Sequence, residues 1–260
     1  LPVNDTIEGG PAALYDALNA ATAASLASQP AGVLALAMAL DSVTTVTAQL
    51  APASDSGTAG DNLTNDATPT IRGTGEPGAT ITVTSPTGEV LTTTVATDGT
   101  WSVTPTVALP DGPVAVAVSA TDAAGNTANT AVTLTVDTVA AATITVGAIT
   151  ADDIVNAAEA GGVITVSGTV GGDARAGDTV SFTVNGTLYS ATVNPDNTTW
   201  SVSVAGSDLA ADTSFDATVT GSDDAGNPFT ATATSTHTVD GAAPQSTGGQ
   251  VSGTEDTNYV

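Results

Sequence analysis

Hydrophobic and polar residues alternate in short runs along most of the chain. In "TWSVT" (100–104), Trp101 and Val103 face one way while Thr100, Ser102 and Thr104 face the other. The same period of two runs through "ATITVTS" (79–85), "VAVAVSA" (114–120), "AVTLTV" (131–136), "VITVSGTV" (163–170) and "TVSFTVNG" (179–186). Successive side chains of an extended strand point to opposite faces, so this pattern predicts antiparallel strands with one buried face. Gly, Asn, Asp and Pro separate the runs, as turns require.

The chain also repeats itself. "DGTWSVTP" (98–105) matches "NTTWSVSV" (197–204), "SATDAAGNT" (119–127) matches "TGSDDAGNP" (220–228), and "LTVDT" (134–138) matches "HTVDG" (237–241). Trp101 to Trp200 is 99 positions, Asn126 to Asn227 is 101, and Asp137 to Asp240 is 103. A period near that size, with about seven strands in each copy, fits one β-sandwich per repeat. The expected fold class is therefore mainly β: two tandem sandwiches over 43–138 and 139–240. "VTTVTAQL" (43–50) is expected as the first strand, and the short junction 135–146 lacks Gly and Pro.

The two ends differ from the repeats. "PAALYDALNAATAASLASQ" (11–29) spaces Leu14, Leu18 and Leu26 roughly as a helix does, and Pro11 suits a first helical turn. "GVLALAMAL" (32–40) is expected as a second helix or as an added strand, so 1–42 is read as an Ala-rich helical segment. Residues 241–260 read as a linker and the start of a further module, which implies a segment of a longer protein.

Charge narrows the chemistry. Two cations, Arg72 and Arg175, face 27 acids among 260 residues, for a net charge of −25. Phosphate binding needs Lys and Arg, so nucleic acid is a poor partner, and an anionic membrane surface is disfavoured for the same reason. The natural counterions are soluble divalent cations. A generic solubilising acidic surface is the plainer alternative. The absence of cysteine excludes disulfides and zinc–thiolate sites. "VLALAMAL" (33–40) is too short to span a bilayer, and positions 1–50 hold no Lys or Arg for a signal-peptide n-region. Any export address would lie outside this chain.

The acids concentrate in loops. "SDSGTAGDNLTNDATP" (54–69) offers Asp55, Asp61 and Asp66, with Asn62 as an amide ligand. Its counterpart "TADDIVNAAEAGG" (150–162) offers Asp152, Asp153, Asn156 and Glu159. Calcium takes six to eight oxygen ligands in flexible geometry, which such loops can supply. The "DAAGN" turn brings Asp122 and Asn126, and the strand end brings Asp137. Asp137 with the Asp223 turn, and Asp240 with a following module, are expected as junction ligands. Turn capping by Asp and Asn is the competing explanation for these residues. The EF-hand order is absent.

No catalytic constellation is expected. The single histidine, His237, falls in a strand, and no G-x-S-x-G, P-loop or dinucleotide fingerprint is present. Paired carboxylates could support glycoside hydrolysis, but acids repeated in every module point to structure. A glycan site would use exposed aromatics. Trp101 and Trp200 read as core, leaving Tyr189 and Phe229 as candidate platforms.

"NDATPTIRGTGEPGATITV" (65–83), "DGTWSVTP" and "SATDAAGNT…LTVDT" resemble the bacterial immunoglobulin-like repeats of large biofilm-associated and repeats-in-toxin (RTX) surface adhesins. "ADDIVNAAEAGGVITVSGTV" (151–170) and "AGDTVSFTVNGTLYSATV" (176–193) resemble a second subtype, and "SGTEDTNYV" resembles the opening of a cadherin-like module. The resemblance covers about 43–260 and leaves 1–42 unplaced. It implies an immunoglobulin-like fold and a secreted, cell-surface rod whose modules follow one another, stiffened by calcium, supporting adhesion or biofilm formation. It carries Asp55, Asp61, Asp122, Asp137, Asp152, Asp153 and Asp240 over as calcium ligands. The alternatives are a surface-layer or filament subunit that binds copies of itself, and a glycan- or ice-binding module.

Overall fold

The computed structural model describes residues 41–241. The helical expectations over 11–29 and 32–40, and the tail from 242, lie outside the described residues. Among those described, no helix is long and apolar enough to cross a membrane. The chain forms two units. Unit 1 holds the described residues through Ala140 together with Ser222–Pro228, and unit 2 holds Ala141–Gly221 and the described residues from Phe229.

Unit 1 is built from β1 (Gln49–Leu50), β2 (Leu63–Thr64), β3 (Ile71–Thr74), β4 (Thr80–Thr84), β5 (Val90–Thr94), β6 (Thr100–Val103), β7 (Gly112–Thr121) and β8 (Thr127–Val136). One sheet orders β1-β3-β6 and the other β2-β8-β7-β4-β5. The alternation sets the register: β7 and β8 pair antiparallel without interruption from Gly112↔Val136 to Thr121↔Thr127. Their inward residues Val116, Val118, Leu134 and Val136 meet Ile81 and Val83 of β4 and Ile71 and Trp101 of the opposite sheet in one core. The first strand is shorter than 43–50 implies. Only Gln49 and Leu50 pair as a strand, with an isolated bridge Val46↔Gly75 upstream. Val46 and Ala48 still pack against the core, so the period of two survives where the ladder does not.

Unit 2 is built from β9 (Ala142–Ile144), β10 (Ile154–Asn156), β11 (Val163–Gly172), β12 (Thr179–Val184), β13 (Thr187–Thr192), β14 (Thr199–Ala205), β15 (Ser214–Ser222), β16 (Pro228–Thr236) and β17 (Thr238–Asp240). Sheets β14-β11-β9 and β13-β12-β15-β16 form the sandwich, and β10 pairs β17 in parallel. Phe182 centres an aromatic cluster with Phe215 at 4.6 Å, Tyr189 at 5.8 Å and Trp200 at 6.0 Å between ring centroids.

Two short helices break the all-strand expectation, α1 (Ala157–Ala160) and α2 (Gly206–Ala211). Asn156 caps α1: its side chain accepts from the Ala158 and Glu159 amides, and Glu159 reaches back to the Asn156 amide at 3.0 Å. This is a reciprocal capping box.

The tryptophan turn is built alike in both copies. Asp98 accepts from the Thr100 amide at 3.0 Å and from its hydroxyl at 2.7 Å. Asp196 accepts from the amides of Thr198 and Thr199 at 2.9 Å and from the Thr199 hydroxyl at 2.5 Å. The Thr199 hydroxyl, with the two amides, holds the Asp196 carboxyl down to about 2. Because its folded value is depressed, the stabilisation it gives is present above the ordinary Asp range and is lost as pH falls through about 2.

Candidate metal centre

The carboxylates of Asp41, Glu76 and Asp122 converge at one end of unit 1, with one oxygen of each lying within 4.8 Å of the others. Three separate segments deliver them. Asp41 precedes β1, Glu76 sits in the turn between β3 and β4, and Asp122 opens the turn between β7 and β8. The β7–β8 turn folds into a clasp. Asp122 Oδ1 accepts from the Asn126 amide at 2.8 Å, and Oδ2 accepts from Asn126 Nδ2 at 2.8 Å. Asn126 Nδ2 also donates to the Asp41 carbonyl at 3.2 Å, which ties the Asp41 segment to the turn.

The electrostatics favour a cation. Asp122 is buried and Asp41 and Glu76 are half-buried. Burial, followed by the Asp41 and Asp122 carboxylates, raises the Glu76 carboxyl above its ordinary value. At a surface-like dielectric, two carboxylates about 4.8 Å apart repel by about 3 kcal/mol. Residues 41–140 contain ten acids and the single cation Arg72. Arg72 is engaged across the sheet, where Gln49 accepts from its guanidinium at 3.1 Å.

The donor set fits calcium. Calcium holds oxygens at 2.3–2.6 Å, so two ligands of one ion lie no more than about 5 Å apart. The trio meets that limit with hard carboxylate oxygens and no nitrogen or sulfur.

The sequence-derived candidates fall out differently. Asp122 belongs to the trio, and Asn126 positions it. Asp55, Asp61 and Asp66 do not converge. The Asp61 carboxylate accepts from the Leu63 amide at 2.9 Å, and Asn62 adopts a left-handed φ of 62°. Asp66 takes the Thr68 amide at 2.9 Å and the Ser54 hydroxyl at 3.1 Å. Asp55 accepts from the Gly60 amide through Oδ2, while its Oδ1 is buried without a hydrogen-bond partner. That orphaned oxygen is the one feature of this loop that fits a cation.

In the second loop Asp152 accepts from the Thr150 hydroxyl at 2.9 Å and the Ile154 amide at 3.2 Å, the hydroxyl most of all lowering its carboxyl. Asp153 accepts from the Ile149 amide at 2.9 Å. Asn156 and Glu159 are occupied by the α1 cap. These loops owe their acids largely to turn and cap geometry. Asp223 repeats the clasp of Asp122, accepting from the Asn227 amide and Nδ2, both at 2.8 Å. Within unit 1, Asn227 Nδ2 donates to the Asp137 carbonyl at 2.7 Å, while the Asp137 side chain accepts from the Val139 amide at 3.2 Å. Asp240 ends β17 opposite Asn156.

Sequence reasoning missed Asp41 and Glu76. A signal for Asp41 was present: "DSV" (41–43) repeats "DTV" (137–139), so Asp41 matches Asp137 in sequence one repeat earlier. Glu76 carries no local signal.

The other candidate chemistry is absorbed by the core. His237 is 6% exposed, with Nε2 2.8 Å from the Leu209 carbonyl oxygen. Phe229 is buried, which corrects its reading as a surface platform, and the Tyr189 hydroxyl donates to Asp208 at 2.6 Å. Trp101 and Trp200 are buried, as expected.

Residues 42–138 match the family model described as the bacterial Ig-like domain. Among solved structures, one from work on host cell surface retention of a 1.5-MDa bacterial ice-binding adhesin is 41% identical, covering 77% of this chain and 66% of that one, with a TM-score of 0.62. A Ca2+-stabilised adhesin that helps an Antarctic bacterium reach out and bind ice is 45% identical, covering 78% of this chain and 50% of that one, with a TM-score of 0.56. A bacterial immunoglobulin-like domain from the M. primoryensis ice-binding adhesin is 59% identical, covering 39% of this chain and 100% of that one, with a TM-score of 0.38. This chain thus spans between half and just under two thirds of the first two structures. No curated protein sequence matches it.

Proposed function

Because the chain belongs to the bacterial immunoglobulin-like domain family, we propose that it is an extender segment of a secreted adhesin at the bacterial cell surface, stiffened by calcium. The observation that carries the calcium part is the Asp41–Glu76–Asp122 trio, three carboxylates gathered in a stretch, residues 41–140, whose single cation, Arg72, is engaged with Gln49. A solved relative is itself a Ca2+-stabilised adhesin, which supports the same reading. Asp41, Glu76 and Asp122 would hold the ion, and Asn126 would keep Asp41 and Asp122 in position. The ion would supply positive charge that binds three separate segments into one end of the sandwich.

The role is mechanical, not catalytic. A divalent ion that binds the folded chain and not the unfolded one stabilises it by mass action. Extracellular calcium-binding modules typically bind the ion with dissociation constants of about 10⁻⁴–10⁻³ M. Adhesion or biofilm support would then follow from neighbouring modules and a binding tip elsewhere in the parent protein.

The test is a calcium titration of the full chain by calorimetry, beside Asp122→Ala. The wild type should bind calcium, and the variant should bind one ion fewer per chain. A wild type that binds no calcium up to millimolar concentration would sink the calcium part of the proposal.

A further inference from the structure

We propose that residue 76 decides whether unit 1 requires a bound cation, and that an arginine at this position takes the cation's place. The inference rests on the calcium reading above and assigns the ion's requirement to one side chain.

The chain holds two versions of the turn that carries this residue. In unit 1 the Ala79 amide donates to the Glu76 carbonyl at 3.0 Å, the Gly78 amide to the Val95 carbonyl at 3.0 Å, and the Val95 amide to the Ala79 carbonyl at 2.9 Å. In unit 2 the Asp178 amide donates to the Arg175 carbonyl at 3.1 Å, the Gly177 amide to the Val193 carbonyl at 3.1 Å, and the Val193 amide to the Asp178 carbonyl at 2.9 Å. Gly78 and Gly177 both take a left-handed φ, 88° and 97°. Each turn then enters its strand at a threonine, Thr80 of β4 and Thr179 of β12, four residues beyond Glu76 and Arg175. Glu76 and Arg175 are therefore the same position in two copies of one turn.

The charges at that position are opposite. The chain has two cations in 260 residues, and one of them stands here in the second repeat. With Glu76 the trio carries −3, and a divalent ion brings it to −1 (−3 + 2). With arginine at 76 the group carries −1 (−2 + 1) and no ion is needed. A guanidinium is planar, permanently charged, and donates in a fork that suits carboxylates, so it can answer Asp41 and Asp122 directly. The sign of the side chain at position 76 would then set whether unit 1 requires the ion.

The test compares the full-length wild type with Glu76→Arg and Glu76→Gln. Bound calcium is counted by equilibrium dialysis with metal analysis. The side-chain amide signals of Asn126 are followed by NMR, and unit 1 unfolding is followed by Trp101 fluorescence in a Trp200→Phe background. In the wild type, calcium should shift the Asn126 signals, and chelator should lower unit 1 stability. Glu76→Arg should bind one ion fewer, leave the Asn126 signals unmoved by calcium, and lose the chelator sensitivity. Glu76→Gln should bind calcium more weakly than the wild type, by more than the 10–100-fold typical of an outer-shell change, and should gain no calcium-independent stability. The proposal is overturned if either variant keeps the full ion count with wild-type affinity, or if folded Glu76→Arg remains as chelator-sensitive as the wild type. A wild type that binds no calcium would instead remove the calcium reading itself, a separate and recognisable failure.

Discussion

Trp200→Ala should destabilise unit 2 by about 3–5 kcal/mol, the usual cost of deleting a fully buried large aromatic. The indole is 1% exposed and stands 6.0 Å from the Phe182 ring centroid. Its Nε1 donates to the Thr145 carbonyl at 3.1 Å, tying β14 across β11 to the chain just after β9. Truncation removes both the packing and the donor. Trp200→Phe keeps most of the packing and loses the donor, so it should cost about 1–2 kcal/mol. Each unit holds one tryptophan, and Trp101 therefore remains as a fluorescent reporter of unit 1 in both variants. The measurement is chemical denaturation with unit 2 followed by circular dichroism. A loss under about 1 kcal/mol for the alanine variant would contradict the core described here.

Gly73→Ala is expected to be nearly as damaging in unit 1, through crowding. A Cβ at residue 73 would stand 1.8 Å from the Thr47 carbonyl oxygen and 2.9 Å from Trp101 Cε2. Neither is the free end of a flexible side chain. The Thr47 segment would have to leave the edge of β3, breaking the Thr47 amide bond to the Thr74 carbonyl. Overpacking of this kind costs about 1–3 kcal/mol, and more where backbone must move. The second repeat repeats the constraint, since a Cβ at Gly168 would stand 1.9 Å from the Thr145 carbonyl oxygen. Gly161→Ala is the control. Its added methyl would meet nothing nearer than the Ala158 carbonyl oxygen at 3.5 Å, and it should be close to neutral. Gly161 lies in unit 2, so each substitution is read by the tryptophan of its own unit, Trp101 or Trp200, and a Gly73→Ala loss no larger than that of Gly161→Ala would refute this placement of Gly73.

Much of the sandwich was legible because its cause is local. Alternation in "VAVAVSA" and "AVTLTV" names the inward faces of β7 and β8, and the "DAAGN" turn between them fixes their register. Even the clasp was legible in kind, since Asp122/Asn126 and Asp223/Asn227 share one spacing. The helices α1 and α2 were not, because four and six residues leave no period to detect. An Asn156-to-Glu159 capping spacing was nevertheless present in the loop read as ligands.

The metal centre was half legible for a different reason. Acid density drew attention to 54–69 and 150–162, where most carboxylates are turned onto backbone amides of their own loops. The trio draws one acid from each of three segments, at positions 41, 76 and 122, and only the fold joins them. Ligand clusters of this kind leave no mark on a linear chain beyond the repeat itself. Comparison of the two copies is what marks residue 76, where one carries a carboxylate and the other a guanidinium.

Calcium as structural glue is tested most directly by thermal unfolding of the full chain in excess calcium and in chelator, at matched ionic strength. At a hundredfold excess over the dissociation constant, one ion stabilises by about 2.7 kcal/mol. For a unit of about 100 residues that corresponds to a unit 1 Tm higher in calcium by roughly 10–20 °C. The expected result is that rise, reversed by chelator and unmatched by magnesium, which demands a tighter octahedral site. An unchanged Tm would contradict it and would leave the acidic residues as turn caps and solubilising charge.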